Sequence, residues 1–313
     1  MLSQVRSRRS RRLARLVLAG LLVLTAGMFA SCTRRTTSPP ATPSPSPSPE
    51  TSAPSPVREP SCPPFEESVV TGTVSDPELD EISGIVAGRR IPGVLWAEED
   101  SGNDPSVFAL TPSGKVVARV AVDGATNRDW EALAWAMGRL WIGDIGDNEG
   151  ERSEVQVYSF AEPRDRGVTR VDASVLRLRY EDGPHDAEAM FVDPQDEHLY
   201  IVVKQLTESD SAVYAFPLAD ARPHGIGILR EVASVALSTV TAADIGPAGI
   251  AIRDYLSTLV FPWADDRTVV STLEGTPCFV SLGSSEAIAQ TPDGTGLYSI
   301  REGVGPPIRY AAL

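Results

Sequence analysis

Apolar positions in this chain come in short runs, each cut off within a few residues by Gly, Pro, Asp or Asn. The stretch MFVDPQDEHLYIV from Met190 shows the unit: an apolar run, a polar turn, a second run. IAQTPDGTGLYSI from Ile288 repeats it with Pro292-Asp293-Gly294 as the turn, and LAWAMGRLWIGD from Leu133 does so again. Short runs bounded by such turn residues predict β-hairpins. Third strands are expected at 106–110, 154–160, 212–216 and 308–313, and fourth strands at 115–122, 174–180 and 229–237. No segment sustains a helical period, so the fold class expected is all-β.

The hairpins recur in phase. Ser83-Gly84-Ile85-Val86, Glu131-Ala132-Leu133-Ala134, Glu188-Ala189-Met190-Phe191 and Glu286-Ala287-Ile288-Ala289 share an acid or Ser followed by small and apolar residues. A degenerate copy lies near Asp244-Ile245-Gly246-Pro247, its register left open, giving spacings of 48, 57, 56 and 42 residues. Four-stranded units of roughly 45 residues are the mark of a β-propeller. Five blades are favoured and six are the alternative. The last unit is short, and residues 65–82 supply the strand that would complete it and close the ring. The propeller domain is therefore drawn at 65–313.

Alternating strand direction puts the start of each inner strand and the end of each second strand on one face, around the channel mouth. Inner-strand starts contribute Glu81, Asp129, Glu131, His185, Asp186, Glu188, Asp244 and Glu286. Second-strand ends contribute Asp100, Asp144, Asp147, Asn148, Lys204 and Glu302. Carboxylates gathered this closely must hold a cation, pair with base or take up protons. Asp100, Glu131, Asp144, Asp147, Glu188 and Glu286 are the expected metal ligands, and an all-oxygen donor set suits Ca²⁺. The alternative is a salt-bridge network with Lys204, Arg128 and Arg301. Zinc is disfavoured by the lack of HExxH and of a Cys cluster.

The elements DSG, DWEAL, GDIGDN, HDAEA and EAIAQTPDG, spread over roughly residues 75–302, resemble a group of exported actinobacterial β-propeller lipoproteins. More distantly they resemble exported propellers of phytase-like or esterase-like type. The resemblance implies the fold; it implies chemistry poorly, because propellers host many unrelated functions. There is no G-x-S-x-G, P-loop or Rossmann fingerprint. His185, Asp186, Glu188 and Lys204 are the candidate catalytic residues, with His185 as a general base. A binding or scaffold module is the favoured reading; a metal-dependent hydrolase of phosphate or carboxylic esters is the alternative. Few Lys or Arg stand near the rim to hold a substrate phosphate, which favours binding.

The first 64 residues change the setting. Six Arg precede the run Leu16–Phe29, which is shorter than the ~20 residues of a membrane span, and the run ends in Phe29-Ala30-Ser31-Cys32. Residues 1–31 read as an export signal, and small residues before Cys32 resemble a bacterial lipobox, where the Cys is lipidated. A plain secretory signal is the alternative. Residues 32–64 are rich in Pro, Ser and Thr and lack apolar residues to bury, so they read as a disordered tether. The expected location is the outer face of the plasma membrane, lipid-anchored, with a cell-envelope ligand or protein as partner. Without the signal, the formal net charge moves from −14 to −20. Such a surface repels phosphate backbones, so nucleic acid is not expected as a partner. Cys62 and Cys278 are expected to pair in an oxidising compartment, with two free thiols as the alternative.

Overall fold

The computed structural model describes Cys62 and residues 65–313 other than Glu208. The residues expected to form the export signal, Cys32 and the expected tether apart from Cys62 lie outside the described residues. Among the described residues no helix is long and apolar enough to cross a membrane.

The domain is an all-β propeller of five blades. The chain first lays down β1 (Val69–Thr73). Blade 1 follows as β2 (Ile82–Ala87), β3 (Leu95–Glu99), β4 (Ser106–Leu110) and β5 (Val116–Asp123). Blade 2 begins with β6 (Trp130–Ala136), β7 (Arg139–Asp144) and β8 (Val155–Ala161). A short β9 (Arg170–Asp172) then pairs in parallel with β5 before β10 (Ser174–Tyr180) completes blade 2. Blade 3 is β11 (Ala187–Asp193), β12 (His198–Val203), β13 (Ser211–Pro217) and β14 (Ile226–Val235). Blade 4 is β15 (Val240–Gly246), β16 (Gly249–Asp254), β17 (Thr258–Phe261) and β18 (Cys278–Val280). Blade 5 is β19 (Ala287–Gln290), β20 (Gly296–Ile300) and β21 (Pro307–Ala312), with β1 antiparallel to β21 as its fourth strand. Borrowing β1 from the start of the domain closes the ring.

Neighbouring inner strands touch all the way round, from β2 through β6, β11 and β15 to β19 and back to β2. Each gap between blades has its own apolar core. Trp96, Trp130 and Tyr158 fill the gap between blades 1 and 2, and Met190, Ile201 and Tyr214 fill that between blades 2 and 3. Inner strands are buried on both faces, which is why they read as continuous apolar runs rather than as alternations. Outer strands alternate, as β5 does. The outer edges of blades 2 and 3 also join, β10 pairing in parallel with β14. Cys62 and Cys278 form a disulfide with Cα atoms 5.5 Å apart, tying the chain ahead of β1 to the outer strand of blade 4.

Candidate site at the channel mouth

Four inner strands begin with a register shift, at Ile82/Ile85, Trp130/Ala132, Ala187/Ala189 and Val240/Ala242. A bulge re-aims the side chain it carries. The residues inside these shifts are Ser83, Glu131, Glu188 and Thr241, and Glu286 stands just ahead of β19. These five residues form the ring that the repeat phase implies. The fourth position is therefore Thr241, not Asp244. The Thr241 hydroxyl donates to the Glu286 carbonyl at 3.0 Å, as the Ser83 hydroxyl does to Glu131 O at 3.3 Å. Asp244 lies further along β15, where its carboxylate accepts from the backbone N–H of Ile245 and Gln290. Thr-Ala-Ala-Asp lacks the acid of the other copies, and the nearby acid drew the register three residues too far.

Backbone hydrogen bonds tie second-strand ends to inner-strand starts in several blades. Asp100 N–H donates to Glu81 O at 2.9 Å, Gly146 N–H to Asp129 O at 3.2 Å and Lys204 N–H to Asp186 O at 2.8 Å. The rim residues thus share one face.

Asp100, Asp129 and Glu131 each bring an oxygen within 4.8 Å of the others, so this triad could hold a metal ion. Asn127 positions it: its side-chain amide donates to the carbonyls of Glu99 and Asp100, both at 2.8 Å, while its oxygen accepts from Trp130 N–H. The Ser83 hydroxyl donates to Glu131 Oε2 at 3.0 Å. Gly146 makes the gathering sterically possible. A Cβ there would lie 2.5 Å from Asp129 Oδ2 and 2.8 Å from Glu131 Oε1. Burial, then the charge of Asp100, pushes Asp129 up to about 6. Burial, then Glu188, Asp100 and Asp129, pushes Glu131 well above the usual carboxylate range. Glu98, fully buried beneath Gly84, is raised by burial and then by Asp100.

The other expected ligands have partners of their own. Asp144 pairs with the buried Arg152 at 2.8 Å and also accepts from Asp129 N–H. Asp147 caps its own turn, accepting from Glu151 N–H at 3.0 Å and Arg152 N–H at 2.8 Å. Asp186 accepts from Asp147 N–H at 2.8 Å. Glu188 forms an ion pair with Lys204, whose ammonium also donates to the Tyr255 hydroxyl at 3.0 Å. Burial favours the neutral amine, but Glu188 and Tyr255 outweigh it and hold Lys204 above its ordinary range. Glu286 is shifted up, chiefly by burial. His185 bonds elsewhere: its Nε2 lies 3.0 Å from both Asp182 Oδ1 and the Tyr214 hydroxyl, with Tyr180 packed edge-on against the ring. Arg128 and Arg301 are exposed and take no part in the ion pairs among the described residues.

Sequence reasoning placed Asp129 on the rim but left it out of the ligand set. Its spacing of two from Glu131 was the available signal, because alternate residues of a strand share a face. Arg152, Asn127 and Tyr255 sit in loops with no repeat to mark them.

No family model and no curated protein matches the chain. Among solved structures it is similar to XC5397 from Xanthomonas campestris, a gluconolactonase, at 13% identity and a TM-score of 0.48, covering 79% of this chain and 89% of that one. It is also similar to the Dos1 propeller, at 11% identity and a TM-score of 0.35 over 71% of this chain and 52% of that one. The Neurospora crassa Pan2 WD40 domain matches at 10% identity and 0.38, over 78% and 95%. The assignment as a five-bladed propeller stands on the strand pairing of this chain itself.

Proposed function

We propose that this protein is an exported propeller, lipid-anchored at Cys32 on the outer face of the plasma membrane. Its acidic mouth binds Ca²⁺ and presents it to a cell-envelope ligand or protein. One observation carries the reading: among the described residues Asp100, Asp129 and Glu131 converge without a basic side chain bonded to them, while Asp144 and Glu188 nearby each have one. An all-oxygen donor set favours a hard cation that accepts irregular geometry. Coordination would neutralise charges that otherwise repel one another across a buried space.

The same mouth argues for binding over hydrolysis. An ester hydrolase needs a base near the bound ester. His185 is engaged with Asp182 and Tyr214 and Lys204 with Glu188, so the bases left at the cation site are the carboxylates that would themselves hold the cation. A site whose bases are committed to the cation suits recognition of an anionic or polyhydroxyl ligand.

Calcium titration of the EDTA-treated protein by calorimetry tests the site, with a one-to-one isotherm expected. An absence of heat, together with no metal in elemental analysis of protein purified without chelator, would refute it. Detergent partitioning of wild type and Cys32→Ser tests the anchor; equal release of both into the aqueous phase would remove it. A panel of phosphate and carboxyl esters, with and without Ca²⁺, tests the exclusion of turnover.

A further inference from the structure

On the face opposite the acidic mouth, the first hairpins of all five blades surround a bowl of about 360 Å³. Blade 1 supplies Arg89, blade 2 Trp135, blade 3 Asp193 and Pro194, blade 4 Pro247 and blade 5 Pro292. Asp193 is turned into its own hairpin, where it accepts from Gln195 N–H at 2.9 Å, and it offsets part of the Arg267 charge. Trp263 and Arg267 join them from the segment after β17.

The two indoles are fixed in orientation. Trp135 Nε1 donates to Glu162 Oε2 at 2.7 Å, and Trp263 Nε1 donates to Gly246 O at 2.9 Å. Glu162 is itself buried and held by Trp96 Nε1 at 3.1 Å and by the backbone N–H groups of Arg89 and Arg90. With both N–H groups engaged, the indoles offer the bowl only apolar ring surface. Each also carries a guanidinium. Arg89 lies over Trp135 at 5.2 Å from the ring centroid, and Arg267 over Trp263 at 4.6 Å. A stacked guanidinium keeps its in-plane N–H fork free for a carboxylate or phosphate. Arg267 makes no ion pair and no side-chain hydrogen bond among the described residues. Arg89 makes one bond within its own strand end, to Ala87 O at 3.2 Å.

Flat apolar surface with two forks beside it matches a ring that has a C–H face and an anionic substituent. We propose that this bowl binds an anionic saccharide, a uronate, with its pyranose ring packed between the Arg89–Trp135 and Arg267–Trp263 stacks and its carboxylate held by the two guanidinium forks. An extended acidic peptide fits less well. Peptides are captured along sheet edges or grooves, whereas five closed hairpin turns leave this bowl no open edge. The volume lies in the range of small-ligand pockets. The proposal is independent of the calcium reading, since the two sites lie on opposite faces.

The test uses the full chain in EDTA, so that calcium bridging at the acidic mouth cannot contribute. Digalacturonate is titrated by calorimetry and by indole fluorescence, with neutral galactobiose as control. Saturable binding is expected, with galactobiose weaker by about tenfold or more, the usual worth of a charge-assisted hydrogen bond. Trp263→Ala and Arg267→Gln should each lose about tenfold or more on the same ground, and Trp263→Phe less. Arg267 is exposed, so the Gln variant keeps its melting temperature and separates lost binding from lost folding. No saturable signal with digalacturonate, or equal affinity in Arg267→Gln, would overturn the proposal. Tighter binding of hexaglutamate than of digalacturonate would overturn it too and assign the bowl to acidic peptide.

Discussion

Replacing Glu131 by Gln should stabilise the protein without calcium and destabilise it, relative to wild type, with calcium. The side chain is buried, and its Oε2 accepts from Ser83, a bond that an amide oxygen can keep. Its oxygens lie within 4.8 Å of oxygens on Asp100 and Asp129. Two unit charges at that separation repel by about 3.5 kcal/mol at an effective dielectric of about 20. Proton uptake relieves part of this, so the Gln variant should gain about 1–3 kcal/mol in EDTA at pH 7.5. A domain of this size shifts by about 2–4 °C per kcal/mol, so the melting temperature should rise by roughly 2–12 °C. Calcium at a hundredfold excess over its Kd should add ~2.7 kcal/mol to wild type. The variant lacks one charged ligand and should gain much less, so the order of the two melts reverses between EDTA and calcium. Differential scanning calorimetry in both buffers reads the crossing. A variant that melts below wild type in EDTA and shows the same calcium shift would refute the reasoning. Glu131 would then be a structural hydrogen-bonding group rather than one of three crowded charges.

Lys204→Met strands Glu188 as a buried carboxylate and should cost about 3–5 kcal/mol by urea denaturation, largely recovered in Lys204→Met with Glu188→Gln; an unaffected single variant would contradict the pairing. Asp129 and Asp244 are pushed up to about 6 and Glu99 up to about 7, in each case chiefly by burial. The folded state then holds more protons than the unfolded chain, so stability in EDTA should fall as pH rises from about 4 to 7. Calcium should flatten that slope, and a urea midpoint rising with pH in EDTA would contradict it. The Cys62–Cys278 bridge spans 216 residues, and its loss in Cys62→Ser should cost about 2 kcal/mol, below the ~5 kcal/mol chain-entropy ceiling because β1 already pairs with β21. Equal urea midpoints for this variant and wild type would show that the bridge adds nothing to the closure.

The blades were legible because a propeller repeats one physical problem. Every inner strand is buried on both faces and needs small residues where neighbouring blades approach, so the motif at Ser83, Glu131 and Glu188 recurs. Turns such as Pro292-Asp293-Gly294 marked the hairpins for the same reason. The fourth blade was misread because register was inferred from an acid, whereas the position requires only a side chain that hydrogen-bonds to the next blade, which Thr241 provides. The helix Val269–Leu273, capped by Thr268, is too short to show a period and went unread. The site was half legible. Repeat phase brought Asp100 and Glu131 to one mouth, but phase cannot say which carboxylates find bases. Arg152 reaches Asp144 from a loop, and that pairing depends on chain path rather than on pattern. The Trp and Arg residues of the opposite bowl were equally hidden, because Trp263 and Arg267 belong to an irregular segment specific to blade 4.

The five ring positions allow a comparison within the molecule. Blades 1 and 4 carry hydroxyls there, and each reaches a backbone carbonyl of the next blade, Ser83 also reaching the Glu131 carboxylate. Blade-to-blade contact at this position therefore needs nothing more than Ser or Thr. Blades 2, 3 and 5 carry Glu131, Glu188 and Glu286, which add charge to a buried space. Burying a carboxylate costs several kcal/mol unless it is paired. Lys204 offsets that cost at Glu188, and Arg152 does so at Asp144. Among the described residues no base is bonded to Glu131, although Asp100 and Asp129 stand beside it. Gly146 and Asn127 are placed so that the three carboxylates stay together rather than splay apart. A hydroxyl at position 131 would close the ring more cheaply, so the carboxylate there, crowded by Asp100 and Asp129 and taking up a proton when no cation is bound, is not a requirement of the fold, and the calcium-dependent crossing of the two melts is the measurement that gives it a role.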